Sequence, residues 1–324
     1  MPSQTHHISC ALIIPVYNEE DAIPLFIERL DNLFSHCPDV ALSMIFIDDG
    51  SVDKTLETLC HVQRSDPRII VVELSRNFGK EAALTAGLAV CGEKYDVAIP
   101  IDVDLQDPPE LIPEMIKKWR EGFDIVLAQR VSRKSDSFLK RFTAKYFYRI
   151  INHISSVKIP PNVGDYRLLD REAIRAINSL PESCRFMKGL FSYIGFKTTT
   201  IPYVRASRSA GQSKFGFWKL WNFALDGITS FSTMPLRVWS YVGVLISVFS
   251  LLISLFFLFR TLLFGVDVPG YASLIVATTF LGGIQLLGIG VLGEYIGRIF
   301  LESKKRPVYF IRRLISPNAQ EKSD

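Results

Sequence analysis

Two long stretches without a single Asp, Glu, Lys or Arg sit in the C-terminal third of this 324-residue chain: 22 residues from Val238 to Phe259, and 26 from Val268 to Gly293. A helix rises about 1.5 Å per residue, so about 20 apolar residues match a hydrocarbon core of about 30 Å. A buried soluble helix seldom stays uncharged on every face for so long. The pattern predicts two transmembrane helices, about 238–259 and 270–293, within a hairpin region 237–297. Arg260 to Pro269 is a short connection, which leaves both outer ends on one side of the bilayer. Beyond the second span come Arg298, Lys304, Lys305, Arg306, Arg312 and Arg313, while the connection sets Arg260 against Asp267. Lys and Arg collect on the cytoplasmic side, so both termini and a basic tail, 298–324, are expected there. Met1 to Ala11 lacks a basic stretch followed by an apolar one, so the first 235 residues are expected in the cytoplasm as well. Gly293 and Gly297 form a GxxxG near the end of the second span, and small residues of this kind allow hairpin packing or contact within a homo-oligomer.

The net charge of +4 conceals a segregation. Arg130 to Arg149 holds seven basic residues and one acid, and Glu294 to Asp324 holds seven basic residues and four acids, which leaves −5 for the rest. The first stretch interleaves its charges with Phe138, Phe142, Tyr146 and Phe147. That pattern fits a solvated helix face, or a surface turned towards anionic lipid headgroups. Nucleic acid is the least favoured partner, because the spans hold the chain at a bilayer. A Trp- and Phe-rich segment, 205–236, leads into the first span as an interfacial element would. Five scattered cysteines without a CxxC fit a reduced compartment better than a zinc site.

Residues 1–204 form the expected catalytic domain. Apolar, β-branched runs at Ala11–Val16, Ser43–Ile47, Ile69–Leu74, Val97–Ile101 and Asp124–Ala128 alternate with helical patterns at about 21–34, 53–62, 79–90 and 109–120. Such alternation predicts βαβ units and a mostly parallel sheet, with ligands beyond the carboxyl ends of the strands. Four successive strand ends are polar: Pro15 to Glu20, Asp48 to Ser51, Ser75 to Lys80, and Asp102 to Pro109. Turn chemistry accounts for any one of them alone. Asp102 and Asp104, one residue apart on a segment read as extended, should project from one face. With the amide oxygen of Gln106 they make a set of hard oxygen ligands suited to Mg²⁺ or Mn²⁺.

The ordered set PVYNEE (15–20), IDDGSVDKT (47–55), RNFGKEAALTAGL (76–88), IDVDLQDPPE (101–110), VGDYRLLDREA (163–173), RSAGQSKF (208–215) and LGEYIGRIF (292–300) resembles the family 2 glycosyltransferases of GT-A fold. Within them it is similar to the polyprenyl-phosphate branch that includes the bactoprenol glucosyltransferases. The resemblance implies a metal-dependent hexosyltransferase, at the bacterial inner membrane, that moves one sugar with inversion from a nucleotide sugar to undecaprenyl phosphate. Glucose from UDP-glucose is the reading preferred, with GDP-mannose or a UDP-N-acetylhexosamine as alternatives. It implies donor contacts from Pro15, Tyr17, Asn18, Glu19, Asp49, Lys80, Asp102 and Asp104, and a metal site at Asp102, Asp104 and Gln106. Asp165, as base or acceptor-positioning carboxylate, and Asp104 are implied as catalytic. Arg130, Arg133, Arg167, Arg208, Ser213 and Lys214 are implied as contacts of the acceptor phosphate. The Q-x-x-R-W of processive synthases is absent, in keeping with addition of a single sugar.

Overall fold

The computed structural model describes residues 7–131, 160, 162–183, 185, 187–204, 234–264 and 270–317. Parallel strands covered by helices on both faces read as near-continuous apolar runs, and β1 (Ile8–Val16), Ile-Ser-Cys-Ala-Leu-Ile-Ile-Pro-Val, is one. It pairs in parallel with β2 (Val40–Asp48) on one side and β4 (Val97–Pro100) on the other, and β3 (Ile69–Leu74) continues the parallel sheet beyond β2. The other described strands are β5 (Ile125–Arg130), β6 (Val163–Asp170), β7 (Thr198–Tyr203) and β8 (Ile311–Ile315), and the sheet runs β7-β5-β6-β4-β1-β2-β3-β8. β5 and β7 pair in parallel, while β6 and β8 run antiparallel to their neighbours. The five strands expected from the sequence are present, and β6 is inserted between two of them.

Helices cover both faces. On one, α1 (Ala22–Phe34) buries Ile23, Phe26 and Leu30 against Leu12, Ile14 and Phe46, beside α2 (Thr55–Ser65) and α4 (Ile112–Arg120). The Phe26 and Phe46 rings meet edge to face at 6.5 Å, so trimming Phe26 to Ala would cost about 3–5 kcal/mol. On the other face, α3 (Lys80–Cys91), α5 (Arg171–Ser179) and α6 (Met187–Tyr193) pack on Ala11, Ile13, Ile45 and Ile47. Asp170 begins α5: one carboxylate oxygen accepts the Glu172 backbone N–H at 2.9 Å and the other accepts Trp119 Nε1 at 2.7 Å.

Beyond the sheet, α7 (Met234–Phe264) and α8 (Tyr271–Ser303) touch at a crossing. Trp239 occupies the space beside Gly288, where a Cβ would lie 1.9 Å from the indole nitrogen, so this crossing requires glycine. Two spans were expected; among the described residues one stretch, Phe280–Ser303, is long and apolar enough to cross a membrane.

The basic tail departs from expectation. α8 continues past Gly293 to Ser303, and the chain then returns to the sheet as β8, antiparallel on β3. Glu73, 4% exposed, pairs with Arg313 at 2.5 Å and Arg312 at 3.3 Å, so part of the charge read as a free basic flank neutralises a buried acid. A second tie lies at the end of α8, where the Glu302 carboxylate accepts the Ser183 backbone N–H at 2.9 Å.

Candidate active site

Because β1, β2, β3 and β4 are parallel, their carboxyl ends share one rim of the sheet. The antiparallel β6 brings its first residues to that rim, and the last residues of β5 and β7, Arg130 and Tyr203, come there too. A cleft of about 750 Å³ opens along it. Of the residues expected, Pro15, Tyr17, Glu19, Asp49, Lys80, Asp102, Asp104, Arg130 and Asp165 line this cleft.

Lys80, the first residue of α3, ties the site together. Its ammonium lies 2.6 Å from Asp102 Oδ1 and 3.1 Å from Asp165 Oδ2, so it bridges the end of β4 to the start of β6. Burial alone would lower the Lys80 pKa, but Asp102 and Asp165 more than offset it and hold the amine above its ordinary value. Asp165 is shifted the other way. Burial raises its carboxyl, while Lys80, Lys188 and Arg167 outweigh that and leave it below the usual range. Asp165 Oδ1 is buried without a hydrogen-bond partner among the described residues.

The loop carrying Lys80 is fixed from beneath. Asp49 is 4% exposed, and its two oxygens accept the backbone N–H groups of Phe78 at 2.7 Å and Gly79 at 2.9 Å. Gly50 has φ +69°, and a Cβ there would lie 2.5 Å from the Arg76 carbonyl carbon, so the two loops meet this closely only through glycine. From the far side, Phe310 closes the loop: its carbonyl accepts the Ser75 N–H at 2.9 Å, and its ring stands 6.2 Å from that of Phe78.

Several expected residues have other duties. Asn18 does not line the cleft. At φ +55° its side-chain oxygen accepts the Val52 N–H at 2.9 Å and its own N–H donates to Ser51 Oγ, so it joins two rim loops. The segment after β4 is a turn rather than extended chain, with Leu105 at φ +54°. Gln106 is 6% exposed and away from the cleft, and its backbone N–H donates to Asp104 Oδ1 at 3.1 Å. Of the expected ligands, Asp102 and Asp104 line the cleft; among the described residues no three His, Cys, Asp or Glu gather into a metal site. Arg167 is 3% exposed, stacks its guanidinium 4.0 Å from the Phe191 ring centroid and donates to the Gly164 carbonyl. Two residues along β6 from Asp165, on the same face, it is not among the residues that line the cleft. Arg133, Arg208, Ser213 and Lys214 fall outside the described residues.

Other lining residues escaped the sequence reading, notably Glu81, Asp107, Tyr166 and Lys188. Asp107 is buried with the Tyr203 hydroxyl hydrogen-bonded to it, Tyr203 accepts Arg130 Nε at 3.1 Å, and the Tyr166 hydroxyl donates to the Pro108 carbonyl at 2.8 Å. Asp107 belongs to the quoted DxDxQD run and could have been flagged there. Lys188 carries no local motif.

A cleft lined with acids and bases, on the carboxyl rim of a mostly parallel sheet between two helical layers, is the build of a GT-A type glycosyltransferase domain. The chain belongs to glycosyl transferase family 2, whose model matches residues 11–177. It is 52% identical to the bactoprenol glucosyl transferase of Shigella phage SfV, over 93% of this chain and 97% of that one. It is 50% identical to an uncharacterized glycosyltransferase of Synechocystis sp., over 95% of this chain and 96% of that one. A prophage bactoprenol glucosyl transferase homolog of Escherichia coli K12 is 49% identical, with 94% of this chain and 98% of that one covered.

Proposed function

We propose that this glycosyltransferase moves a single glucosyl group, with inversion, from UDP-glucose to undecaprenyl phosphate at the cytoplasmic face of a bacterial inner membrane. The observation that carries the reading is the likeness to the phage bactoprenol glucosyl transferase across 93% of this chain, which runs past the catalytic domain into α7, α8 and the tail. Tyr17, 44% exposed at the cleft mouth, offers a face for a base to stack on, with Pro15 and Glu19 beside it. Lys80 faces the donor diphosphate, where negative charge grows as the bond to the sugar breaks.

Asp102 and Asp104 fit a divalent ion. Asp102 already holds a cation, Lys80, against its carboxylate, and Asp104 is exposed to the cleft. Mg²⁺ and Mn²⁺ take few carboxylates and fill the remaining positions with water and phosphate oxygens. Bound there, the ion would neutralise charge on the departing diphosphate. The acceptor, a phosphate monoester with a second pKa of about 6, is already mostly dianionic at neutral pH. It needs no strong base, and Asp165, held below the ordinary carboxylate range, is a poor one. Asp165 therefore acts by orienting Lys80. Arg130, which lines the cleft, receives the acceptor phosphate, and the family resemblance supports the same role for Arg133, Arg208, Ser213 and Lys214.

The reading includes two spans, α7 and α8, with both termini cytoplasmic. The uncharged runs, the pairing of Trp239 with Gly288, and the ties of Glu302 and β8 to the catalytic domain support it, since these ties keep the end of α8 on the side of the cleft. The test is to offer solubilised protein radiolabelled UDP-glucose, UDP-N-acetylglucosamine and GDP-mannose with undecaprenyl phosphate and Mg²⁺ or Mn²⁺. Label should enter the organic phase from UDP-glucose; label entering only from another donor would overturn the glucosyl reading. Asp102→Asn and Asp104→Asn should each remove most metal-dependent transfer, and full activity in both would remove the metal site.

A further inference from the structure

The acidic wall of the cleft continues past Lys80. Glu81, the second residue of α3, lines the cleft beside Asp165 and Lys188. Its orientation is fixed: Oε2 accepts the backbone N–H of Met187, the first residue of α6, at 2.8 Å. Among the described residues no hydrogen bond occupies its other oxygen. Lys80 contacts both Asp102 and Asp165, so the end of the cleft at Asp102 adjoins the part that Asp165 and Glu81 share.

Lys80 and Lys188 lie near both carboxyls of this wall, and the neutral hydroxyls of a hexose are good partners for the oxygen of Glu81 that remains. We propose that Glu81 is a specificity residue that hydrogen-bonds a hydroxyl of the donor hexose through Oε1, with Oε2 anchored on α6. Burial and the nearby Asp165 carboxylate push the Glu81 pKa up to about 7, so it can meet that hydroxyl as donor or as acceptor. A polar group built to pair with a substrate hydroxyl discriminates strongly against the analogue lacking it, because it is then left unpaired in the closed site.

This inference rests on the glycosyltransferase reading, and the experiment separates the two. The donor used by the wild-type enzyme is established first, and kcat/KM is then measured for that nucleotide sugar and its monodeoxy analogues with wild type, Glu81→Met and Glu81→Asp. A donor other than UDP-glucose overturns the glucosyl reading while leaving this test intact. For the wild type, one deoxy analogue should fall about 10- to 100-fold below the parent sugar. In Glu81→Met, which keeps the length but offers the hydroxyl no hydrogen bond, the parent sugar should fall to within about threefold of that same analogue, while affinity for the free nucleoside diphosphate by calorimetry stays unchanged. Glu81→Asp should lose the same discrimination although it keeps the charge, because the shortened side chain cannot span Met187 and the sugar. A uniform loss across all analogues, or unchanged discrimination in both variants, would overturn the assignment.

Discussion

At the scale of single residues the site turns on Lys80, whose one ammonium serves two carboxylates from two different strands. Lys80→Met removes the cation facing the diphosphate and leaves Asp102 and Asp165 repelling each other across the cleft. We expect kcat to fall at least about 100-fold, with partial recovery in Lys80→Arg, measured as initial rates at saturating donor. An equal loss in both variants would mean that the amine's geometry, and not its charge, is what matters. Arg167 gives the contrasting case. Buried under Phe191 and bonded to the Gly164 carbonyl, it should act through folding: Arg167→Met is expected to cost about 2–4 kcal/mol and to leave KM for the lipid phosphate within about twofold. A selective rise in that KM would return Arg167 to the acceptor site.

At the scale of elements the decisive piece is β8, which covers the β3 edge and presses Phe310 on the loop that carries Lys80. Replacing Arg312 and Arg313 together by Ala leaves Glu73 as a buried, uncompensated charge. Both arginines are more than half exposed, so the loss should be modest, read as faster proteolysis between residues 304 and 310. Adding Glu73→Gln should restore most of it; no restoration would mean that β8 is held by its backbone and by Phe310 alone. This element was illegible in the sequence because Ile-Arg-Arg-Leu-Ile is short, carries adjacent charges, and pairs with a strand some 240 positions away. β6 was hidden for a related reason: an antiparallel insertion between β4 and β5 leaves no local signal, whereas parallel β1 to β4 announce themselves as apolar runs closed by polar ends. The same contrast runs through the site. Asp49, Lys80, Asp102 and Asp104 sit at strand ends, where position alone implies the rim. Gln106 and Arg167 carry suitable chemistry but are buried and do not line the cleft, which turn geometry and packing set and spacing cannot convey.

For the molecule as a whole, neighbouring carboxyls shifted in opposite directions set the pH dependence of stability. Asp165 lies below its ordinary value when folded, so its contribution is complete at neutral pH and is lost only as the pH falls through the acid range below about 4. Glu81 behaves inversely. Folded, it keeps its proton up to about 7, while the unfolded chain releases it at its ordinary value of 4.5. Between those values the native state binds more protons than the unfolded state, so stability falls as pH rises, with a slope from this group of at most about 1.4 kcal/mol per pH unit. Asp48 and Asp49, both raised by burial, bend the curve the same way from the acid side, and Lys80, held above its ordinary value, stays charged throughout. Comparison with Glu81→Gln isolates the one group, since every other titration is shared. The apparent Tm of the wild type relative to the variant should decline from pH 5 to pH 7.5 by a few degrees, the shift that about 1–3 kcal/mol produces in a domain of this size. Parallel curves across that window would show that Glu81 ionises normally, and its place beside Asp165 would then have to be more open to water than the geometry indicates.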